Sequence, residues 1–424
     1  MKTITKTSGT LLVGVRAFFL GAGAGAVVWL LLKLMELGIE GLWEVLPAAM
    51  GWEDSLVYSI LVCAVGGLLI GLWQRKFGTL PDDMEQVMHR VKETGGYPYD
   101  RLPVLAVAAL LPLIFGGALG PEAGLTGIIA GLCTFIGDRL RYQGDRLAAM
   151  AEAGTATALG VIFGAPLFGI VGNLEPDGPT EHYREKLLGK KGHIFLYVLG
   201  VAGGMAAMYG LGALFGSSGG LPRFAREHAI GPDQWKWIIP LILVGMAAAA
   251  FYHLVQAVAK RLAAAFQHHQ LLLCLAVGVL LALVAHVLPM AQFSGEAQIG
   301  QLMDTWQTAS PLVLALSGLA KLILTCLCFH LGWRGGSIFP VIFSGVALGY
   351  AFALWVGMDG SYAVAIVTAC LCAMVMKKPL TAIAVLLLCF PLSYLPPMIV
   401  GAFAAAWVAK AIEKRRGPAQ EPGA

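Results

Sequence analysis

The sequence predicts an all-α protein that crosses a membrane many times. Hydrophobic residues make up 58% of the 424-residue chain and charged residues only 13%, whereas about a quarter of a soluble domain is charged. Apolar stretches of membrane-spanning length recur from end to end. The short alternating segments of a β-barrel are absent from the sequence. Together these observations favour a polytopic helical membrane protein.

The apolar stretches differ in length, and several are too short to cross a bilayer. They lie near 11–35, 55–73, 102–116, 123–136, 146–172, 194–216, 236–259, 270–290, 311–331, 338–357, 361–376, 379–392 and 396–411. A spanning helix needs about 20 residues. We therefore expect some helices to end inside the membrane, where their ends must face protein or a water-filled cavity.

A polar stretch, residues 217–236, divides the chain into two halves. We expect a first transmembrane repeat over 1–216, a linker over 217–236, a second repeat over 237–412 and a cytoplasmic tail over 413–424. Basic residues precede the first apolar segment and follow the last. Because cytoplasmic flanks are rich in Lys and Arg, we expect both termini in the cytoplasm and the chain in the cell (inner) membrane.

Three breaks occur in the same order in the two halves. In the first half they are GTLP (78–81), GGALGP (116–121) and APL (165–167). In the second half they are FSGE (293–296), GGSIFP (335–340) and KPL (378–380). Transporters built from internal repeats carry discontinuous helices at corresponding positions of each half. The sequence therefore predicts a repeated fold whose helices break near the middle of the bilayer.

Glycine followed by proline suits a helix that begins inside the membrane. Glycine lets the backbone approach a ligand closely, and proline at the first helical position costs no hydrogen bond. The first turn then offers unpaired N–H groups and a partial positive charge to an anion. The helix starts predicted on this basis are Gly78–Pro81, Gly117–Glu122 and Gly336–Pro340.

Glu122 stands within the second of these helix starts. An intramembrane carboxylate is costly and is usually functional. At a helix start its anionic form can occupy the place of an anion, and its protonated form can leave that place. We expect Glu122 to act as both gate and proton carrier. The alternative is a loop glutamate that only caps a helix.

These motifs resemble those of the CLC family of chloride channels and anion/proton antiporters. The resemblance covers Gly117–Gly124 with Glu122, Gly335–Pro340, Phe163–Gly169 and Lys378–Thr381, which together span most of the chain. It implies a CLC-like inverted repeat with discontinuous helices, and a homodimer with one pore per subunit. It also implies a gating role for Glu122 and anion contacts from Ser337, Ile338 and Phe339. The anion-binding residues expected beside Glu122 are Gly120, Pro121, Ala123, Gly124 and Thr126.

The sequence departs from the family pattern in its first anion loop. The family usually places a serine hydroxyl there, and this chain has none between Gly78 and Met84. Either Thr79 supplies the hydroxyl or Met84 takes the position. A methionine in place of that serine resembles the fluoride-exporting branch of the family. Core packing of Met84 is the alternative to a role in ion binding.

Two further departures concern the proton path and the central tyrosine. The inner glutamate of the chloride/proton antiporters has its nearest counterpart in Glu175, but Pro176 follows it, and a helix rarely continues unchanged through proline. The family's C-terminal tyrosine has only Tyr394 as a nearby candidate. An inner proton role for Glu175 and an anion contact for Tyr394 are therefore weaker expectations.

The favoured function is halide transport coupled to protons, with fluoride ahead of chloride. Fluoride accepts strong hydrogen bonds, for which Thr126, Ser337 and Thr79 are candidate donors. The alternatives are a passive voltage- or pH-gated chloride channel and, from another class, an intramembrane enzyme or a structural membrane protein. No HExxH or nucleophile motif supports an enzyme. We expect the eight cysteines to be small buried hydrophobes, and no metal, cofactor or nucleic acid to bind.

Overall fold

The computed structural model describes residues 2–139, 145–174, 190–216, 220–224 and 231–416, and this part of the chain is helical with no β-strand. The helices of the first half are α1 (Lys2–Glu40), α2 (Leu46–Met50), α3 (Leu56–Phe77), α4 (Met84–Thr94), α5 (Leu102–Ile114), α6 (Glu122–Arg139), α7 (Asp145–Ile162), α8 (Pro166–Leu174) and α9 (Lys190–Phe215). Those of the second half are α10 (Pro232–Trp235), α11 (Ile238–Ala265), α12 (Gln270–Val287), α13 (Glu296–Thr305), α14 (Pro311–His330), α15 (Ile338–Val356), α16 (Gly360–Met376), α17 (Pro379–Leu386) and α18 (Leu395–Arg416). The predicted polytopic helical class is confirmed.

Eight helical segments of the described chain are long and apolar enough to cross a bilayer. They are Gly14–Met50, Leu56–Phe77, Ile194–Phe215, Asp233–Ala265, Gln267–Val287, Pro311–His330, Ile338–Val356 and Leu392–Ile412. The helices α5, α8 and α17 are shorter, with 13, 9 and 8 residues. At about 1.5 Å per residue, none of these three crosses a hydrocarbon core of about 30 Å. The predicted short apolar helices are therefore present, and their ends inside the membrane remain a prediction.

The helix α15 lies at the centre of the molecule. Every one of its residues from Ile338 to Tyr350 is buried, as is nearly all of α16 beside it. The outer helices instead expose large apolar side chains, such as Ile239 on α11, Leu272 on α12 and Trp407 on α18. An apolar outer surface around a packed interior is what a lipid-facing helical bundle requires, since lipid tails solvate those side chains.

One apolar stretch predicted from the sequence, 146–172, is two helices. Helix α7 ends at Ile162 and α8 begins at Pro166. Gly164 between them has a φ of +60°, a conformation that glycine adopts without strain. The N–H of Ala165 donates to the carbonyl of Gly160 over 2.9 Å. The chain therefore breaks at Ala165-Pro166, where the repeat pattern placed a break. The apolar stretch 146–172 had been given as continuous.

Helix α4 begins three residues later than the proline signal indicates. Gly78–Pro81 forms a turn, and Asp83 is the N-cap of α4. The Asp83 carboxylate accepts from the N–H of Gln86 over 2.8 Å, and the Gln86 side chain accepts from the N–H of Asp83 over 3.1 Å. This reciprocal pair is a capping box, which satisfies two N–H groups at once. The acidic first turn expected from the helix dipole is present, with its start at Met84.

All eight cysteines are buried and unpaired with one another. The thiol of Cys274, for example, donates to the carbonyl of Leu331 over 3.5 Å within a tightly packed helix contact. The expectation that the cysteines serve as small apolar side chains is confirmed.

Candidate functional site

Two glycine turns from opposite halves of the chain meet at the centre of the molecule. The N–H of Gly120 donates to the carbonyl of Gly336 over 2.8 Å, and the N–H of Gly336 donates to the carbonyl of Gly120 over 2.7 Å. The two residues form an isolated antiparallel bridge. Helix α6 begins two residues after Gly120, and α15 begins two residues after Gly336. The bridge therefore brings the starts of these helices together.

The side chain of Glu122 crosses from α6 to the start of α15. One of its carboxyl oxygens, Oε1, accepts from the N–H of Ile338 over 2.7 Å. Glu122 is fully buried. The carboxylate thus occupies an anion position at a helix N-terminus, where N–H groups and the helix dipole both favour negative charge.

The second carboxyl oxygen of Glu122, Oε2, is buried and accepts no hydrogen bond from the described residues. A buried polar atom without a partner costs free energy. This unpaired oxygen therefore makes the seat of the carboxyl group on α15 less favourable than a fully hydrogen-bonded one.

The glycines are needed because the carboxyl group fills the space that side chains would take. A Cβ atom added to Gly120 would lie 1.9 Å from Oε2 of Glu122, and one added to Gly336 would lie 1.9 Å from its Cδ. Neither distance is sterically possible. The glycine-rich turns of the sequence therefore make room for the carboxylate, in addition to forming the turns.

A buried polar network holds the turn before Glu122. The hydroxyl of Thr325 on α14 shares its proton between two carbonyls, that of Ala118 at 2.9 Å and that of Lys321 within α14 at 2.8 Å. One helical turn earlier, Nζ of the fully buried Lys321 donates to the carbonyls of Gln292 and Phe293 over 2.6 and 3.0 Å. Its Nζ also lies 4.6 Å from the ring centre of Phe343. Sequence reasoning missed Lys321, although a lysine inside an apolar segment is itself a signal.

A cavity of about 540 Å³ leads to this cluster, and Glu122, Ala123, Ser337 and Ile338 are among the residues that line it. Its cationic lining residues are Lys260, Arg334, Lys377 and Lys378, and its carboxylates besides Glu122 are Asp83 and Glu85. Arg334 lies with its guanidinium 5.3 Å from the ring centre of Phe329. Cationic walls raise the local concentration of anions in such a cleft.

The structure separates the two candidates for the missing serine. Met84, at the first position of α4, lines the cavity. Gly78 and Thr79 are exposed and do not line it. Of the two, only Met84 therefore lies on the wall of the cavity that reaches Glu122.

The remaining predicted residues around Glu122 have structural contacts that limit their availability. The hydroxyl of Thr126 donates to the carbonyl of Glu122 over 2.6 Å, within α6. Gly124 is packed closely against Ala109. The carbonyl of Pro121 accepts the first hydrogen bond of α6, from Leu125 over 3.0 Å. Thr126 and Gly124 support the helix, whereas Ala123 lies on the cavity wall.

Tyr394 is not brought to this cluster. Its hydroxyl donates to the carboxylate of Asp359 over 3.3 Å, and Asp359 lies beyond the C-terminal end of α15. The 19 residues of α15 correspond to roughly 28 Å at 1.5 Å per residue. Tyr394 is therefore at the opposite end of the helix from Ile338. Glu175, the candidate inner proton residue, lies outside the described residues.

One face of α11 contributes lining residues that sequence reasoning did not single out. Tyr252, Gln256 and Lys260 are spaced four apart, which places them on one side of the helix, and all three line the cavity. The pattern was present in the sequence as polar residues at helical spacing in an otherwise apolar segment.

Broken helices that present their N-termini to a buried, carboxylate-occupied anion position define the molecule as an anion-transporting membrane protein. Comparison with known families agrees, because residues 66–410 match the family model described as voltage gated chloride channel. The chain belongs to this family, the CLC family, as the motifs around Glu122 and Ile338 indicated. This family membership points to a protein of ion transport.

Curated relatives and solved structures are similar along most of the chain. A protein of Escherichia coli named "Putative ion-transport protein YfeO" is 26% identical over 349 residues, which cover 80% of this chain and 78% of the relative. The structure of a slow cyanobacterial Cl⁻/H⁺ antiporter matches with a TM-score of 0.76 at 17% identity, covering 95% and 94% of the two chains. That of a CLC-type fluoride/proton antiporter matches with a TM-score of 0.72 at 17% identity, covering 95% and 96%. These likenesses confirm the fold.

Proposed function

We propose that the protein is a proton-coupled halide antiporter in which Glu122 is both gate and proton carrier. The observation that carries the proposal is the position of the Glu122 carboxylate, which accepts the Ile338 N–H over 2.7 Å at the start of α15. A halide and this carboxylate would make the same hydrogen bonds and therefore compete for one place. Protonation removes the negative charge and weakens the carboxyl group's hold on those N–H groups.

The competition couples the two ions. When a halide arrives from the cavity, it favours the state in which the carboxyl group has left α15, and the freed carboxyl group takes up a proton. When the carboxylate returns as an anion, it releases the proton and displaces the halide. Halide binding thus favours protonation of Glu122, and protonation of Glu122 favours halide binding, because both act through one shared position. This is the reciprocity that thermodynamic linkage requires.

Fluoride is the favoured substrate, with chloride second. Met84 lines the cavity where the family usually has a serine, and this substitution resembles the fluoride-exporting branch. Fluoride is small and strongly hydrated, so it needs compact N–H and O–H donors in exchange for water. Ile338 and Ser337 are donors on the described cavity wall that fit this need.

We also propose that the molecule is a homodimer of inverted repeats over 1–216 and 237–412, with residues 217–236 as linker and 413–424 as tail, in the inner membrane. The bridge between Gly120 and Gly336, one from each half, supports the repeat. Both termini and the Lys377 and Lys378 end of the cavity would face the cytoplasm, in keeping with the positive-inside rule. A mass near twice 44.7 kDa in detergent, after subtraction of the micelle, tests the dimer.

Flux measurements with the purified protein in liposomes test the function. Efflux of fluoride and of chloride is recorded beside the internal pH, for the wild type and for Glu122→Gln. We expect the wild type to move fluoride faster than chloride with opposite movement of protons. Glu122→Gln should reduce proton movement to that of empty liposomes, because an amide side chain does not take up and release a proton near neutral pH.

Glu93→Gln is the matched control, since Glu93 is about half exposed and pairs with His89 on the surface of α4. It should keep wild-type fluxes. Chloride efflux without a change of pH would replace the proposal with a passive channel. Proton movement that survives in Glu122→Gln would remove Glu122 from the proton path, and no flux of either halide would contradict the transport function.

A further inference from the structure

An apolar groove of about 460 Å³ lies at the end of α1, apart from the cavity of Glu122. One wall runs from the end of α1 through a π-helical turn (Gly41–Val45) into α2, and the other wall is the end of α5 with Phe115. Every residue that lines the groove is glycine, aliphatic or aromatic. Leu37 and Val45 on the first wall are more than half exposed. The groove therefore opens toward the surroundings of the molecule.

Hydrogen bonds hold the two walls of the groove in place. The indole N–H of Trp43, within the π-helical turn, donates to the carbonyl of Ile114 over 2.9 Å. The hydroxyl of Tyr58 on α3 donates to the carbonyl of Leu42 in the same turn. π-Helical turns inside longer helices are frequent at functional sites. The groove is thus a built feature of the surface rather than a gap between loosely packed helices.

A stripe of carboxylates borders the groove. Glu36, Glu40 and Glu44 are four residues apart, which places them on one side of the helix, and each directly precedes a residue that lines the groove. Glu36 pairs with Lys33 over 2.9 Å. Glu40 and Glu44 are exposed and form no ion pair with the residues that the structure describes. Two carboxylates beside an apolar groove are thereby open to a cationic partner.

The charge around the groove differs from that of the whole chain. Residues 34–74 contain five carboxylates and no Lys, Arg or His, whereas the chain carries a net charge of +4. Such a surface attracts a cationic partner and repels an anionic one. The apolar stretch 11–35 ends just before the groove, and Trp52, just beyond it, is 40% exposed. A tryptophan at the end of an apolar stretch is typical of the membrane–water interface.

We propose that this groove binds a phospholipid whose headgroup carries a primary ammonium, such as phosphatidylethanolamine. The upper part of an acyl chain lies against Leu37, Gly41 and Val45, and the ammonium pairs with the carboxylates of Glu40 and Glu44. The lipid site does not depend on the proposed halide transport, since none of these residues lines the cavity of Glu122.

The headgroup chemistry distinguishes three common classes of phospholipid. A primary ammonium has three N–H donors, so it can bond to two carboxylates at once. A choline headgroup has the same charge but no N–H donor. A glycerol headgroup leaves the lipid with a net negative charge, which the carboxylates beside the groove repel.

Native mass spectrometry of the detergent-purified protein tests the site. The protein is titrated with phosphatidylethanolamine, phosphatidylcholine and phosphatidylglycerol that have the same acyl chains. We expect phosphatidylethanolamine to bind most tightly and phosphatidylglycerol least tightly. The double variant Glu40→Gln, Glu44→Gln should weaken phosphatidylethanolamine binding about fivefold, a modest factor because exposed ion pairs are partly screened.

Gly41→Leu tests the apolar part of the site by filling the groove. A Cβ at Gly41 meets nothing within 4 Å, so the leucine side chain enters the groove without displacing the protein. Because it takes the place of buried acyl carbons, it should weaken lipid binding about tenfold. Gly23→Leu is the matched control, since a Cβ at Gly23 on α1 also meets nothing within 4 Å, but Gly23 does not line the groove. It should bind lipid as the wild type does.

Several outcomes would overturn the lipid site. Equal binding of phosphatidylethanolamine to Gly41→Leu and Gly23→Leu would remove the groove from lipid binding. Phosphatidylglycerol that binds as tightly as phosphatidylethanolamine, or unchanged binding in the double glutamine variant, would contradict the ammonium headgroup. Loss of a dimer mass in Gly41→Leu alone would assign the groove to a second copy of the chain instead.

Thermal unfolding in detergent gives a second measurement that does not need Gly41→Leu to fold. A ligand that binds the folded protein raises its stability by mass action. We expect phosphatidylethanolamine to raise the unfolding temperature of the wild type more than that of the Glu40→Gln, Glu44→Gln variant, in which both changes are at exposed positions. An equal rise in the two proteins would contradict the proposed pairing of the headgroup.

Discussion

At the scale of single residues, the site depends on side chains that are absent as much as on those that are present. Gly120 and Gly336 leave the volume that the Glu122 carboxyl group fills. Ile338 contributes its backbone N–H group, so the hydrogen bond to the carboxylate does not use the Ile338 side chain. A carboxylate held by neutral N–H groups can be displaced more easily than one paired with a lysine or arginine.

Gly336→Ala should displace the Glu122 carboxyl group from α15. The new Cβ would lie 1.9 Å from Cδ of Glu122, so the carboxyl group must move. Overpacking of this kind costs about 1–3 kcal/mol, and 1.4 kcal/mol corresponds to about tenfold in an equilibrium. We expect proton-coupled halide flux in liposomes to fall by about that factor or more.

Gly300→Ala on α13 is the control for Gly336→Ala, since a Cβ there meets nothing within 4 Å. It should keep the wild-type flux. If Gly336→Ala also keeps the wild-type flux, transport does not depend on the close packing of the Glu122 carboxyl group against Gly336.

The sequence predicted the residues of this site in part. Glu122 and the turn Gly336–Pro340 stood out because glycine, proline and one carboxylate are unusual among apolar residues. Tyr252 and Lys321 did not stand out, because Tyr252 matters through its place on the cavity wall and Lys321 through its hydrogen bonds to Gln292 and Phe293, which are 29 and 28 residues away along the chain. Nothing local in the sequence specifies such contacts.

At the scale of helices, breaks in the chain place the helix ends at the site. The start of α6 follows Pro121, and that of α15 precedes Pro340. The chain segment just before α6 is held by α14, through the hydrogen bond from the Thr325 hydroxyl to the Ala118 carbonyl. Correct alignment of α6 with α15 therefore depends on a third helix, α14.

Thr325→Val should destabilise this arrangement. The valine keeps the shape of the side chain but leaves the buried carbonyl of Ala118 without the hydroxyl that now donates to it. An unsatisfied buried group costs about 1–3 kcal/mol. We expect a lower thermal unfolding temperature in detergent, measured by differential scanning fluorimetry, with a matching loss of flux.

Thr305→Val serves as the comparison, because Thr305 is exposed and its hydroxyl donates only within its own helix, to the carbonyl of Gln301 over 2.7 Å. Its unfolding temperature should match that of the wild type. Equal unfolding temperatures for Thr325→Val and Thr305→Val would contradict a role for α14 in fixing the turn.

Helix boundaries were harder to predict than helix identity. Apolar periodicity located the long spans, but it joined α7 and α8 into one stretch, because the residues on both sides of Gly164 are equally apolar. The Gly-x-x-Pro signal placed a helix start at Pro81, whereas the capping box of Asp83 and Gln86 sets the start of α4 at Met84. Capping interactions decided the boundary where two signals lay close together.

At the scale of the whole molecule, the two halves of the chain are joined at the point where the proposed chemistry occurs. Gly120 comes from the first half and Gly336 from the second, and their mutual hydrogen bonds form the bridge. A carboxylate from one half is seated on a helix of the other. The order of the breaks predicted this correspondence, whereas the cavity and its α11 wall required the three-dimensional structure.

The central claim is that a halide and the Glu122 carboxylate share the N–H groups at the start of α15. The most direct measurement is the amide NMR signal of Ile338 in protein labelled with ¹⁵N-isoleucine, assigned with the variant Ile338→Val. In Glu122→Ala, which clears the position, the account predicts that fluoride or chloride shifts this signal at lower concentration than in the wild type. An Ile338 signal that neither halide shifts in Glu122→Ala would contradict the account.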